Sequence, residues 1–212
     1  MNNFRAFLNE DAEYDRIHEQ GERLEKEHPF SQTDENIAHH YTNKSTHINS
    51  HLWNKHKDLG YKKEFGNTVD GITYKDSDYK QLIGSLDKIT NHKTPEDLKV
   101  WSKSIHDPRD LKDSKGIVHH PAYMSTSLSK TVASGLKWNE RVDSKGITHH
   151  HVYEINIPKG SKGAYLGRRS ACPTQREFLL ARGTNLKYID THTQEDKNNN
   201  YHTHYMDVIN GK

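Results

Sequence analysis

Hydrophobic periodicity changes once along this chain, near "NHKTPED" (91–97), and that change limits the folds open to it. Before it, apolar residues recur at helical spacing. Phe4, Phe7, Leu8, Ile17 and Leu24 do so within 3–28, and Tyr79, Leu82, Ile83, Leu86 and Ile89 within "SDYKQLIGSLDKIT". "NKSTHINSHLWNKH" gives a further helix with Ile48, Leu52 and His47 or Trp53 on one side, and Ser31 or Thr33 can cap the helix that starts before it. "GYKKEFGNTVDGITYKDSD" has three glycines and no period, and reads as loop. After Pro95 the pattern turns to alternation. In "HVYEINIP", Val152, Glu154 and Asn156 oppose Tyr153, Ile155 and Ile157. "LKVWSKS", "AYMSTSLS", "GAYLG", "REFLLARG", "NLKYID" and "HTHYMDVIN" read as strands. Lys/Gly/Ser turns separate them, and the polar run in "QEDKNNNYHTHY" reads as a hairpin loop. Helices first and strands second predict an α+β fold. The 212 residues suit a single domain, with a helical lobe over 1–92 and a β core over 93–212.

Composition excludes several classes. No apolar stretch approaches the ~20 residues of a membrane span, and "MNNFRAFLNEDAEYDR" lacks the pattern of a signal peptide. A cytoplasmic protein is expected. The 31 basic and 29 acidic residues balance to +2, which gives no reason to expect a nucleic-acid partner. Cys172 is the single cysteine, so no cysteine-based metal site is expected, and it reads as a bystander. The 17 histidines cluster, and His202 and His204 share one strand face. A metal site needs about three or four converging ligands, so they read as solvated polar residues and no metal is expected.

No phosphate-binding glycine loop, His-Glu-x-x-His or Gly-x-Ser-x-Gly occurs. Three segments hold the interest: "IAHHYTNKSTHINSHLW", "YMSTSLSKTVASGL" and "CPTQREFLL". On an ideal strand, Gln175 and Glu177 share one face and Arg176 takes the other. Read alone, that pair is either an ordinary strand end or a catalytic pair.

In order and spacing these segments resemble the mono-ADP-ribosyltransferases of the toxin and phage exoenzyme type. The family's helical lobe carries Tyr-Thr…Ile-Asn…Leu. Its split, mostly antiparallel two-sheet β core carries an aromatic-Arg strand, a Ser-Thr-Ser strand and a Glu/Gln-x-Glu. Here "YTNKSTHINSHLW", "VWSKS", "MSTSLS" and "PTQREFLL" take those places, and the resemblance spans Ser31 to Ile189. It implies NAD as substrate, without a metal, and a target protein as partner, such as transcription or translation machinery or a GTPase.

The resemblance also implies site residues. Glu177 stabilises an oxocarbenium-like ribose, and Ser125 orients Glu177 and contacts that ribose. Thr126 and Ser127 support the strand. Gln175 meets the acceptor side chain, which points to Asn, Gln or another non-Arg acceptor. Tyr41 and Asn49 either face the adenosine side of NAD or serve packing and capping. Arg168 and Arg169 are candidate contacts to an acidic partner. Trp101 and Trp138 read as core or pocket wall. One position departs from the pattern: Ser102 stands where the family's NAD-contacting Arg is expected. Lys103, Arg109 and Arg141 are the candidates to replace it. The alternatives to protein modification are an NAD glycohydrolase and a catalytically silent binding module.

Overall fold

A computed structural model of the chain describes residues 2–56, 68–69, 72–136 and 140–209, with the backbone alone for 2–12, 68–69 and 72. Trp138 and residues 60–67, 70 and 71 of the expected loop lie outside these residues, and the described part of that segment is not loop throughout, since 68–69 pairs with 72–73 and a helix starts at Asp76. The helical part comprises α1 (Asn2–Glu27), α2 (Gln32–Trp53), a two-strand ribbon of β1 (Thr68–Val69) and β2 (Ile72–Thr73), and α3 (Asp76–Thr90). Of the two candidate caps, Ser31 starts α2. Its Oγ accepts from the Asp34 backbone N–H, and the Asp34 carboxylate accepts from the Ser31 backbone N–H.

The β core follows, with β3 (Leu98–Ser104), a short α4 (Pro108–Leu111), β4 (Ile117–His120), β5 (Met124–Ser127) and α5 (Lys130–Ser134). It continues with β6 (Arg141–Val142), β7 (Thr148–Ile157), β8 (Gly163–Tyr165), β9 (Glu177–Leu180), β10 (Thr184–Asp196) and β11 (Asn199–Ile209). The expected hairpin between the last two strands is present, but most of its polar run is strand: β10 and β11 pair out to Asp196↔Asn199.

The sheet order is β4-β10-β11-β7-β3-β5-β9-β8, with β6 beside β7. Every pairing is antiparallel except β11 with β7. Strands β3 and β5 share a single register pair, Trp101↔Ser127. This one-pair joint divides the nine-stranded sheet into two halves.

Each part has its own packing. Tyr41, Ile48 and Leu52 of α2 and Leu86 and Ile89 of α3 bury against Tyr123, Ala164, Leu166 and Leu179. Leu98, Val100, Ile155, Ile157, Phe178, Leu180 and Met206 bury together, with Ile17 and Leu24 of α1 in the same cluster. β9 joins the two, because alternate residues of "EFLL" face opposite sides. A close approach fixes the outer strand: a Cβ on Gly163 would lie 2.5 Å from Phe178 Cε1 and 2.9 Å from the Leu179 carbonyl oxygen. Gly163→Ala is therefore expected to cost about 1–3 kcal/mol, measured as a lower denaturant midpoint. Gly84→Ala, on an exposed face of α3 where a Cβ meets nothing, should instead raise it, by about 0.5–1 kcal/mol.

Candidate active site

The split between β3 and β5 opens a cleft of about 370 Å³. Its walls come from α2 (Thr42, Asn49, Trp53), β3 (Ser102, Lys103), β5 (Ser125, Ser127) and the turn that delivers Gln175 and Glu177. Glu177 is the first residue of β9 and is only 4% exposed. A carboxylate so buried is costly to ionise. Burial raises its pKa to about 7, against the hydrogen bonds of Ser125 and Ser170 that favour the charged form. The Ser170 hydroxyl lies 3.5 Å from Glu177 Oε2.

Behind Ser125 runs a polar chain. Asn49 Nδ2 donates to the Tyr41 hydroxyl oxygen at 3.1 Å and to the Tyr123 carbonyl at 3.0 Å. The Tyr41 hydroxyl lies 3.4 Å from Ser125 Oγ. The proton order follows from valence. When Glu177 is ionised, Ser125 gives its hydrogen to the carboxylate, and Tyr41, already accepting from Asn49, gives its own to Ser125. Burial and the Glu177 charge raise the Tyr41 pKa, keeping that hydrogen in place. The three sequence segments thus form one network, Asn49 to Tyr41 to Ser125 to Glu177.

The strand hydroxyls beside Ser125 are occupied elsewhere. Thr126 Oγ1 is buried and donates to the Phe178 carbonyl at 2.6 Å. Ser127 Oγ donates to the Gln175 carbonyl at 2.7 Å and accepts from the Ser129 backbone N–H. These bonds pin the turn that carries Gln175. That turn differs from the expected extended strand. Pro173–Gln175 is a 3₁₀ turn, Arg176 is left-handed at φ 49°, and the strand begins only at Glu177. Gln175 and Glu177 still reach the same cleft, through the turn and not through strand alternation. Thr42 secures the preceding loop by accepting from the Ala171 backbone N–H at 2.7 Å.

Ser102 and the basic candidates take different places. Ser102 lines the cleft, where its hydroxyl donates to the Ser125 carbonyl at 2.9 Å across the split. Lys103 Nζ is buried, donates to the Leu136 carbonyl and pairs with Glu140 at 3.2 Å. Arg109 does not line the cleft, because Asp107 holds its guanidinium in a two-pronged ion pair on α4. Arg141 sits exposed on β6, also off the cleft. No arginine is among the described residues lining it. Arg169 is not a surface contact: it is buried, 3.4 Å from Glu35 and stacked over Phe30 at 4.3 Å. Arg168 is exposed and 3.6 Å from Glu25. Trp101 is buried and lines the cleft wall.

Sequence reasoning missed Ser170, Trp53, His106 and His120 at this site. His120 is buried, and desolvation lowers its pKa to about 4, so it brings no charge at neutral pH. Ser170 was findable only as a hydroxyl in the loop before Gln175. Elsewhere, the structure gathers His149, His151, His202 and His204 into one column on β7 and β11.

The comparisons with known proteins agree with this architecture. The profile of the ADP-ribosyltransferase exoenzyme family matches residues 12–208. The chain therefore belongs to that family of NAD-dependent mono-ADP-ribosyltransferases. Solved structures with the same fold include Plx2a, an ADP-ribosyltransferase toxin from Paenibacillus larvae, at 17% identity and TM-score 0.67, covering 92% of this chain and 96% of that one. C3stau2 from S. aureus, solved with NAD, is 20% identical, with TM-score 0.63 and coverage of 92% and 95%. The C3 exoenzyme of Clostridium limosum is 18% identical, with TM-score 0.63 and coverage of 91% and 93%. No curated protein sequence matches significantly.

The Glu177 environment fixes a pH dependence. The carboxyl is neutral below about pH 7 and charged above it, so kcat/KM for NAD should rise through that value and then level off. Ser125→Ala removes a bond to the ionised form, so the midpoint should move to higher pH. Initial rates of nicotinamide release from about pH 5 to about pH 9 measure both.

Proposed function

We propose that the chain transfers ADP-ribose from NAD to a side chain of a target protein, with release of nicotinamide, and that the acceptor is Asn, Gln or another residue other than Arg. The observation that carries this reading is the buried Glu177 carboxylate, held by Ser125 at the cleft floor with Gln175 on the same wall. The bond between nicotinamide and ribose breaks, and its electron pair leaves with the neutral nicotinamide. Positive charge then develops on the ribose, and a carboxylate in a low-dielectric pocket stabilises it strongly. Glu177 also accepts a hydrogen bond from a ribose hydroxyl. The acceptor attacks the ribose carbon and releases its proton. Gln175, neutral and able both to donate and to accept, orients an amide acceptor and offers no charge to a guanidinium.

The target is a protein in the cytoplasm where the chain is made or delivered, such as transcription or translation machinery or a GTPase, and residues 1–212 act as one catalytic unit. Arg168, exposed beside the acceptor turn, is a contact for an acidic partner surface.

A second reading is an NAD glycohydrolase, in which water takes the place of the acceptor beside the same Glu177 carboxylate. Labelled NAD incubated with a cell lysate separates the two. Labelled protein that disappears with Glu177→Gln supports transfer, whereas nicotinamide release without labelled protein supports hydrolysis. Glu177→Gln is expected to lower kcat by about 10²–10³-fold. Gln175→Glu should reduce protein labelling more than NAD hydrolysis, and equal losses would remove Gln175 from the acceptor side.

A further inference from the structure

Strands β7 and β11 run parallel with His151 opposite His202. Alternation then places His149 and His151 of one strand and His202 and His204 of the other on a single face. The four rings stack in one column. Their centroids are 5.3 Å apart for His149–His202, 4.7 Å for His202–His151 and 5.2 Å for His151–His204, with planes within 18° of parallel. Ring nitrogens meet between the strands, His149 Nδ1 with His202 Nε2 at 3.0 Å and His151 Nδ1 with His204 Nε2 at 2.9 Å.

The outer nitrogens are also held. His202 Nδ1 lies 2.9 Å from Thr193 Oγ1, and His149 Nε2 lies 3.3 Å from the Asp143 carboxylate. Such outer partners fix a ring's tautomer and direction, as they do for histidines that ligate metals. One nitrogen each from His149, His151 and His202 falls within 4.8 Å of the others. His151 and His202 are buried, and His149 is half-buried, leaving a route of entry.

We propose that His149, His151 and His202 form a binding site for one divalent transition-metal ion of the zinc type. A tetrahedral ion with bonds of about 2.0–2.1 Å separates its ligand nitrogens by about 3.3 Å. The His149–His202 pair at 3.0 Å thus needs to open by only a few tenths of an ångström. An all-imidazole set favours Zn²⁺, Co²⁺, Ni²⁺ or Cu²⁺ over Mg²⁺ and Ca²⁺, which prefer oxygen. Ligation requires neutral imidazole.

A second triad, Asp107, His151 and His204, shares His151 with the first. Its carboxylate is already committed, capping α4 and gripping Arg109, which is why the ion belongs with the three histidines. The role assigned to it is structural. The column continues to Tyr153, whose ring meets His204 edge-on at 5.7 Å and whose hydroxyl donates to the His106 carbonyl at 2.9 Å. Tyr153 and His106 both line the cleft. An ion here would clamp β7 to β11 behind that wall.

The test is titration of tag-free, chelator-treated, full-length protein with Co²⁺ and Zn²⁺. Calorimetry should give one ion per chain, Co²⁺ should show the visible absorption of four-coordinate geometry, and the melting temperature should rise. His149→Gln and His202→Gln should each weaken binding by at least about tenfold. His150→Gln should not, since that ring lies on the opposite face, stacked on Tyr201. Each variant's fold is checked by circular dichroism, and the wild-type titration does not depend on any variant folding. No binding by folded wild-type protein would overturn the proposal. So would affinity that survives His149→Gln but is lost in His204→Gln, which would move the ion to the other triad.

Discussion

The buried carboxylate of Glu177 is the constraint around which the rest is arranged. An ionisable group that deep is tolerable only if hydroxyls reach it, and two do, Ser125 and Ser170. Ser125 must in turn be held, by Tyr41 from α2, and Tyr41 by Asn49, which follows the non-helical kink at Lys44. Because Tyr41 is fully buried in the helix–sheet core, the packing of the helical lobe and the ionisation of Glu177 are parts of one problem. A change that loosened the lobe would be felt first as a shift in proton affinity.

The split sheet supplies the space. If β3 and β5 paired along their length, their backbones would close over the ground that the cleft occupies. Their ladder has one register pair, Trp101↔Ser127, and Ser102 adds a side-chain bond from β3 to the Ser125 carbonyl of β5. The residue that replaces the expected guanidinium therefore helps to set the width of the opening. A serine cannot offer a charge to a phosphate, and Lys103 is the one Lys or Arg among the described residues lining the cleft.

Much of the plan was legible in the sequence. Ser31 announced α2, and "VYEINI" announced β7, because capping and alternation are local properties. The order of Tyr41–Asn49, Ser125–Ser127 and Gln175–Glu177 identified the family. What stayed hidden depends on partners distant in sequence or on rare backbone geometry. The rule that placed Gln175 and Glu177 on one face assumed extended backbone, whereas Gln175 closes a 3₁₀ turn and a left-handed residue follows it. Arg109 looked available until Asp107, two residues earlier, claimed it. The histidine column could not be read, because it requires the register of two parallel strands about fifty residues apart.

Arg176 is, among the described residues, the one non-glycine with positive φ, and it stands between the two side chains that face the cleft. Its own side chain leaves in the other direction, to lie over Tyr14 of α1 at 4.4 Å, in a separate groove. The turn is thus two-sided, with two cleft-lining side chains on its inner surface and a cation–aromatic contact on its outer one. A change in the outer side chain at 176 therefore leaves the inner spacing of Gln175 and Glu177 in place only if the new residue accepts the left-handed bend.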